Sequence, residues 1–176
     1  DEGNGMKISL MVTCLGDVIR PGAGQATKAV NQVLVAGIAQ AVCEGLALGE
    51  KLHATGKQVI EAVALGNEVV CRLGSAFLGK TYYQGFHPSS TCGTFGATIS
   101  AAKLMGLDVQ QATHALGIAG SQVGGLMAWN TSGSYTKRLQ AGHPAMVGII
   151  SAMMAKKGFD GPPEIIEGRD GFMQAY

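Results

Sequence analysis

"GFHPSSTCGTFGATISAAKLMG", Gly85 to Gly106, sets a His–Pro pair and three hydroxyl residues ahead of a run of small residues. Pro88 pushes His87 out of the helical region into extended backbone. Ser89, Ser90 and Thr91 each suit the N-cap of a following helix. Gly93, Ala97 and Ala101 then recur at a spacing of one helical turn, a smooth ridge that another helix can approach closely. Gly106 suits the stop. The stretch reads as a helix over residues 91–105, with His87 at its head. His87 either does chemistry there or only closes the loop.

Helical spacing continues on both sides. Residues 25–52 repeat apolar side chains at Ala26, Ala29, Val30, Val33, Leu34, Ile38, Ala41 and Val42, which predicts a long helix, on the order of 40 Å. It is apolar nearly all round, so it belongs in a core or an interface. "HATG", 53–56, breaks it, and a second helix follows over 57–78, with Val59, Ile60, Val63, Val69, Val70 and Leu73 on one side. Residues 79–90 read as a loop. Asp108 with Gln111 makes a capping box for a helix running towards Ile118. Residues 129–145 read as a loop carrying Lys137 and Arg138. A fifth helix then begins with Pro144 in its first turn and ends at Gly158. The tail is a loop with at most one helical turn. Residues 7–19 read as one short strand or the end of a helix, and Pro21, Gly22 and Gly24 make a turn after it. The fold class is mainly α.

Composition excludes several functions. The chain has 176 residues, 47% apolar and 14% charged, a composition that does not predict disorder and fits one ordinary domain or two small ones. A net charge of +1 gives no footprint for nucleic acid or an anionic membrane. The longest charge-free apolar stretch, 29–43, falls short of the roughly 18 residues of a membrane span. The N-terminus lacks the basic start and apolar core of a secretory signal. Cys14, Cys43, Cys71 and Cys92 show no paired spacing, and no metal-ligand spacing accompanies them. They read as buried free thiols of a cytoplasmic protein without a metal site.

From about Gly56 onward the chain resembles the MmgE/PrpD family, which includes 2-methylcitrate dehydratases and cis-aconitate decarboxylases. The resemblance rests on "GFHPSSTCGTFGA" (85–97), "AAKLMGLD" (101–108), "HALGIAGSQVGGLM" (114–127), "GSYTKRLQAGHPA" (133–145) and "GFDGPPEIIEGRDGF" (158–172). It implies a helical-domain fragment, about two-thirds of the chain. A second resemblance covers residues 20–52: "GAGQATKAVNQVLVAGIAQAVCEGLALGEKL" is similar to the interdomain helix of β-hydroxyacid dehydrogenases. The chain thus divides at 1–53 and 54–176, with the crossover near 44–63. A natural fusion, an assembly artefact and a deliberate chimera all fit.

Each candidate site has a competing structural explanation. Near-neutral histidine can move a proton alpha to a carboxylate, the step that dehydration and decarboxylation of such acids share. Spacing alone favours a loop-closing His87; the resemblance implies an active-site residue. Ser89, Ser90 and Thr91 could donate to a substrate carboxylate at a helix N-terminus, although capping accounts for at least two of them. Lys137, which the resemblance matches to an active-site lysine, and Arg138 could hold carboxylates and stabilise enolate-like charge; alone they read as a solvated pair. His143 divides equally between the site and a helix cap. Gln140 stands where the family commonly has histidine, a departure expected to weaken the site. His114 reads as structural and His53 as an exposed loop residue.

Lys28 and Asn31 share a helix face and match the dehydrogenase lysine pattern, but "GAGQAT" is a half-match to a nucleotide loop. Three readings follow. One is a lyase acting on a di- or tricarboxylate without metal or organic cofactor. The second is an NAD(P)-dependent β-hydroxyacid dehydrogenase fragment using Lys28 and Asn31. The third, a non-catalytic helical fragment, best describes the isolated chain, while the lyase best describes its ancestry. A small carboxylate and a second copy of the chain are the expected partners, with no nucleic acid and no membrane.

Overall fold

The computed structural model describes residues 48–77 and 80–176, and this part is helical, without a named strand. The expected strand and turn before residue 25, the sites at Lys28 and Asn31, and most of the 25–52 helix lie outside the described residues. Residues 48–51, its expected last turn, are helical. His53 then takes a left-handed φ of 53° in the exposed break.

Helix α1, Gly56–Phe77, matches the expected second helix closely. It starts on a reciprocal cap: the Thr55 hydroxyl accepts from Gln58 N–H at 3.3 Å, and Gln58 Oε1 accepts from Thr55 N–H at 2.8 Å. Its buried stripe is Val59, Ala62, Gly66, Val70, Leu73 and Phe77. Ile60 was expected on that face and is 71% exposed, because it lies about 100° round the helix from Val59. The expected loop 79–90 holds a short helix, α2, Lys80–Tyr83.

The central element is α3, Pro88–Leu104, with α1, α4 (Val109–Gly120) and α6 (Thr136–Lys156) packed against it. It begins three residues earlier than expected. Proline suits the first helical position because its absent N–H has no intrahelical role there. Burial on every side requires small side chains and satisfied hydroxyls. Thr94 and Thr98 donate to the carbonyls of Ser90 and Thr94 at 2.8 and 2.7 Å, and Ser100 donates across to Ala62 O at 3.0 Å. Gly66 of α1 meets Gly96 of α3, where a Cβ on either would lie 2.8 Å from the other's carbonyl oxygen. On another side, Gly148 of α6 sits on the Ala97–Thr98 backbone, and Gly93 faces Pro144. The ridge seen in the sequence is therefore the seat of α6.

The end of α3 and the start of α4 follow the local signals. Gly106, at φ 68°, closes α3 with Leu107 N–H on Ala102 O and Gly106 N–H on Lys103 O. Lys156 donates to Met105 O at 2.8 Å, a cation at the negative helix end. The Asp108–Gln111 capping box is present, with bonds of 2.8 and 3.2 Å.

The loop expected over 129–145 is overturned. It contains α5, Trp129–Ser132, and the first half of α6, so Pro144 lies inside a helix rather than at its start. Proline there removes one backbone bond and opposes the helix by about 3 kcal/mol. Burial of Pro144, Ala145, Val147, Gly148, Ser151, Ala152 and Ala155 along α6 outweighs that local cost. Gly158, at φ 89°, closes α6 as expected, with Phe159 N–H on Met154 O.

After α6 the chain doubles back. Gly161 lies on Gly117, and Ile165 lies over Gly120. A last turn, α7, Phe172–Ala175, sends Phe172 between Phe77 and Phe95, each ring centroid 4.9 Å away. Val70, Leu73 and Cys92 complete this core. Burial pushes the Cys92 thiol up to about 11, and Cys71 and Cys92 are both free. No helix among the described residues is long and apolar enough to cross a membrane.

Candidate active site

His87 is the N-cap residue of α3, in extended backbone as its proline neighbour dictates, and it makes no side-chain capping bond. Its backbone is held by a small antiparallel bridge. His87 N–H donates to Gly125 O at 2.8 Å, and Met127 N–H donates to Gly85 O at 2.8 Å. Gly125 takes φ 123°, and a Cβ there would lie 2.6 Å from Ser90 Cβ, so only glycine lets this loop close on α3.

His87 is 8% exposed, and its ring stands edge-on to Trp129, with centroids 5.2 Å apart. Its Nδ1 lies 3.0 Å from Gln140 Oε1. That same oxygen accepts from Trp129 Nε1–H at 2.9 Å, while Gln140 Nε2–H donates to Leu126 O at 2.7 Å. One buried glutamine of α6 therefore ties the His87 ring, α5 and the bridge together. Lys137 Nζ covers the Trp129 ring at 4.8 Å from its centroid. Burial holds the His87 pKa below its ordinary 6.5; the Gln140 bond acts upward, and the Lys137 charge acts downward. The imidazole is thus neutral at pH 7, as a proton acceptor requires.

The other candidates divide. Ser89, Ser90 and Thr91 are not caps: with Pro88 first in the helix, they fall inside its first turn. Thr91 turns its hydroxyl back to Pro88 O and His87 O at 3.4 and 3.5 Å. Ser90 packs against Gly125. Ser89 Oγ is buried with no partner among the described residues. Arg138 stacks on Tyr135 at 4.6 Å rather than on Trp129. His143 is exposed on α6, and no hydrogen bond or ring contact among the described residues joins it to His87. His114 is bonded to the Gly161 backbone at 3.0 Å, the structural role expected of it. No three His, Cys, Asp or Glu side chains among the described residues converge as a metal-ligand set.

Sequence reasoning missed Trp129, placed only in a loop, and took Gln140 as a loss. The chain's single tryptophan two residues past "GLM" was the available signal, since a buried indole N–H needs an acceptor.

A small-residue helical domain with a buried His–Gln–Trp cluster and a flanking lysine is the arrangement to be placed among known proteins. Residues 35–176 match the MmgE/PrpD N-terminal domain, and the chain belongs to the MmgE/PrpD family. Among its relatives is a cis-aconitate decarboxylase-like protein of Aspergillus oryzae, 32% identical over 114 residues, 64% of this chain and 23% of that protein. The cis-aconitate decarboxylase of Homo sapiens is 36% identical over 91 residues, 52% of this chain and 18% of that enzyme. An uncharacterized oxidoreductase of Shewanella frigidimarina is 38% identical over 64 residues, 36% of this chain and 21% of the other. The chain spans about a quarter or less of the length of these curated relatives.

Proposed function

We propose that the chain carries part of a lyase site that dehydrates or decarboxylates a di- or tricarboxylate of the 2-methylcitrate or cis-aconitate kind. The observation that carries this reading is the buried His87, held by Gln140 and set edge-on to Trp129, whose ring Lys137 covers, with the bridge fixing the His87 loop. In dehydration, a C–H bond alpha to a carboxylate breaks. Its proton passes to His87, and its electron pair forms the double bond as the hydroxyl leaves. In decarboxylation, His87 Nε2 first takes a proton from solvent; the C–C bond to the departing CO2 then breaks, the carbon that keeps the pair takes that proton, and the imidazole returns neutral. Lys137 would hold a carboxylate and offset the charge that develops. Ser89, with its unpartnered hydroxyl, and Ser90, Thr91, Arg138 and His143 are assigned to substrate binding as subsidiary members. The proposal invokes no metal or organic cofactor.

A thermal melt with citrate, 2-methylcitrate, cis-aconitate and NADPH in turn tests the reading. A ligand of the folded state at about 100 times its Kd adds roughly 2.7 kcal/mol. Tricarboxylates should raise the melt of the wild type and not that of the Lys137→Met variant. In a turnover assay, His87→Ala should abolish the reaction; unchanged turnover would remove the assignment.

A second reading is an NAD(P)-dependent dehydrogenase acting through Lys28 and Asn31; one relative, of Shewanella frigidimarina, is an uncharacterized oxidoreductase. A melt raised by NADPH alone would favour it. We place the protein in the cytoplasm, where free Cys71 and Cys92 remain reduced. A second copy on the exposed Leu139, Met146, Ile150 and Met153 of α6 is the proposed oligomer contact.

A further inference from the structure

Gln140 joins three groups whose hydrogen-bonding capacities are unequal. Leu126 O can only accept, so the Gln140 atom 2.7 Å from it must be the amide nitrogen. Trp129 Nε1–H can only donate, so the atom 2.9 Å from it must be the amide oxygen. The amide has no freedom to turn over without losing both bonds at once. His87 Nδ1 lies 3.0 Å from that same oxygen, which has no hydrogen to give. A hydrogen bond at this distance therefore requires the proton to be on Nδ1.

We infer that Gln140 is a positioning residue that fixes neutral His87 as the Nδ1–H tautomer and so reserves the Nε2 lone pair for a substrate proton. The use made of that lone pair rests on the lyase reading; the tautomer itself does not. Nε2 forms no hydrogen bond among the described residues, and it is not among their fully buried unpartnered atoms. Trp129 has a part in this too. Its indole occupies the second lone pair of the Gln140 oxygen and its ring face meets Lys137, so the base and the cation are set from one indole. Gln140 thus supplies what a carboxylate or carbonyl supplies to catalytic histidines: an acceptor that orients the ring.

Long-range 1H–15N correlation spectra of the 15N-labelled chain above pH 7.5 read the tautomer directly, with His87 assigned from its absence in His87→Gln. The wild type should show a protonated Nδ1 and an unprotonated Nε2. Gln140→Leu should shift His87 to an Nε2-protonated pattern or a mixture. Gln140→Glu, which keeps an acceptor, should restore Nδ1–H. An Nε2–H tautomer in the wild type, or an unchanged His87 in Gln140→Leu, would overturn the inference. If Gln140→Leu does not fold, the wild-type and Gln140→Glu spectra decide between the same two answers. A correct tautomer together with full turnover in His87→Ala would remove the lyase reading alone. The wrong tautomer with turnover lost in His87→Ala would remove the Gln140 role alone.

Discussion

At the scale of single residues, His87 makes stability depend on pH with a definite sign. Its pKa in the folded chain lies below the ordinary 6.5, chiefly through burial. Between the folded value and 6.5 the unfolded chain binds the extra proton, so stability rises with pH across that window and is lost as pH falls through it. Urea midpoints at pH 7.5 and pH 5.5 should differ more for the wild type than for His87→Gln, which has no proton to take up there. Equal differences in the two proteins would mean that His87 does not titrate below its ordinary range. Lys137→Met supplies the companion measurement. Removing that charge takes away one downward influence, so the His87 midpoint should rise towards 6.5.

At the scale of elements, the two crossings of α3 depend on glycines that local sequence reads in different ways. Gly148 sits on α3 so closely that an added Cβ would lie 2.7 Å from Ala97 C and from Thr98 N. Alanine normally gains about 1 kcal/mol over glycine inside a helix. Overpacking against backbone, which cannot rotate away, costs roughly 1–3 kcal/mol and here exceeds that gain. Gly142, on the same helix, has nothing within 4 Å of its would-be Cβ. Gly148→Ala should therefore lower the urea midpoint and Gly142→Ala should raise it; the same sign for both would refute the close α3–α6 crossing. The contrast also explains what the sequence made legible. The stop of α3 and the cap of α4 are short-range features, so Gly106 and the Asp108–Gln111 box can be read from a few neighbours. The first half of α6 cannot. "WNTSGSY" and Pro144 favour a turn locally; of residues 136–143 only Gln140 is buried, and its bonds to His87, Trp129 and Leu126 hold the segment, while burial of the helix begins at Pro144. The site divides in the same way. His87 and Lys137 enter the candidate site only through the family resemblance, while the Gln140 bond to His87 spans 53 residues and exists only once α6 is in place.

At the scale of the whole described structure, the returning C-terminal segment links the core to the loop that carries His87. Phe172 is 3% exposed and touches Phe77 of α1 and Phe95 of α3, joining the two helices from one end. Its ring also stacks on Tyr176 at 5.0 Å, and Tyr176 packs on Phe86, the residue before His87, at 4.5 Å. The Tyr176 hydroxyl then donates to Val123 O at 3.0 Å, close to the other side of the bridge. Phe172→Ala should cost about 3–5 kcal/mol, the usual range for emptying an aromatic core site. In a chain of this size that corresponds to a Tm loss on the order of 10 °C. Tyr176→Phe keeps the ring and removes only one hydrogen bond, so it should cost about 1 kcal/mol. A second readout separates general loosening from the specific link. Amide exchange at His87 and Met127, whose N–H groups form the bridge, should speed up in Phe172→Ala even at temperatures where the helices remain folded. A Tm unchanged in Phe172→Ala would mean that the segment merely rests on the helices. A lower Tm with bridge exchange unchanged would confine its role to the core and leave the His87 loop supported by Gln140 and Gly125 alone.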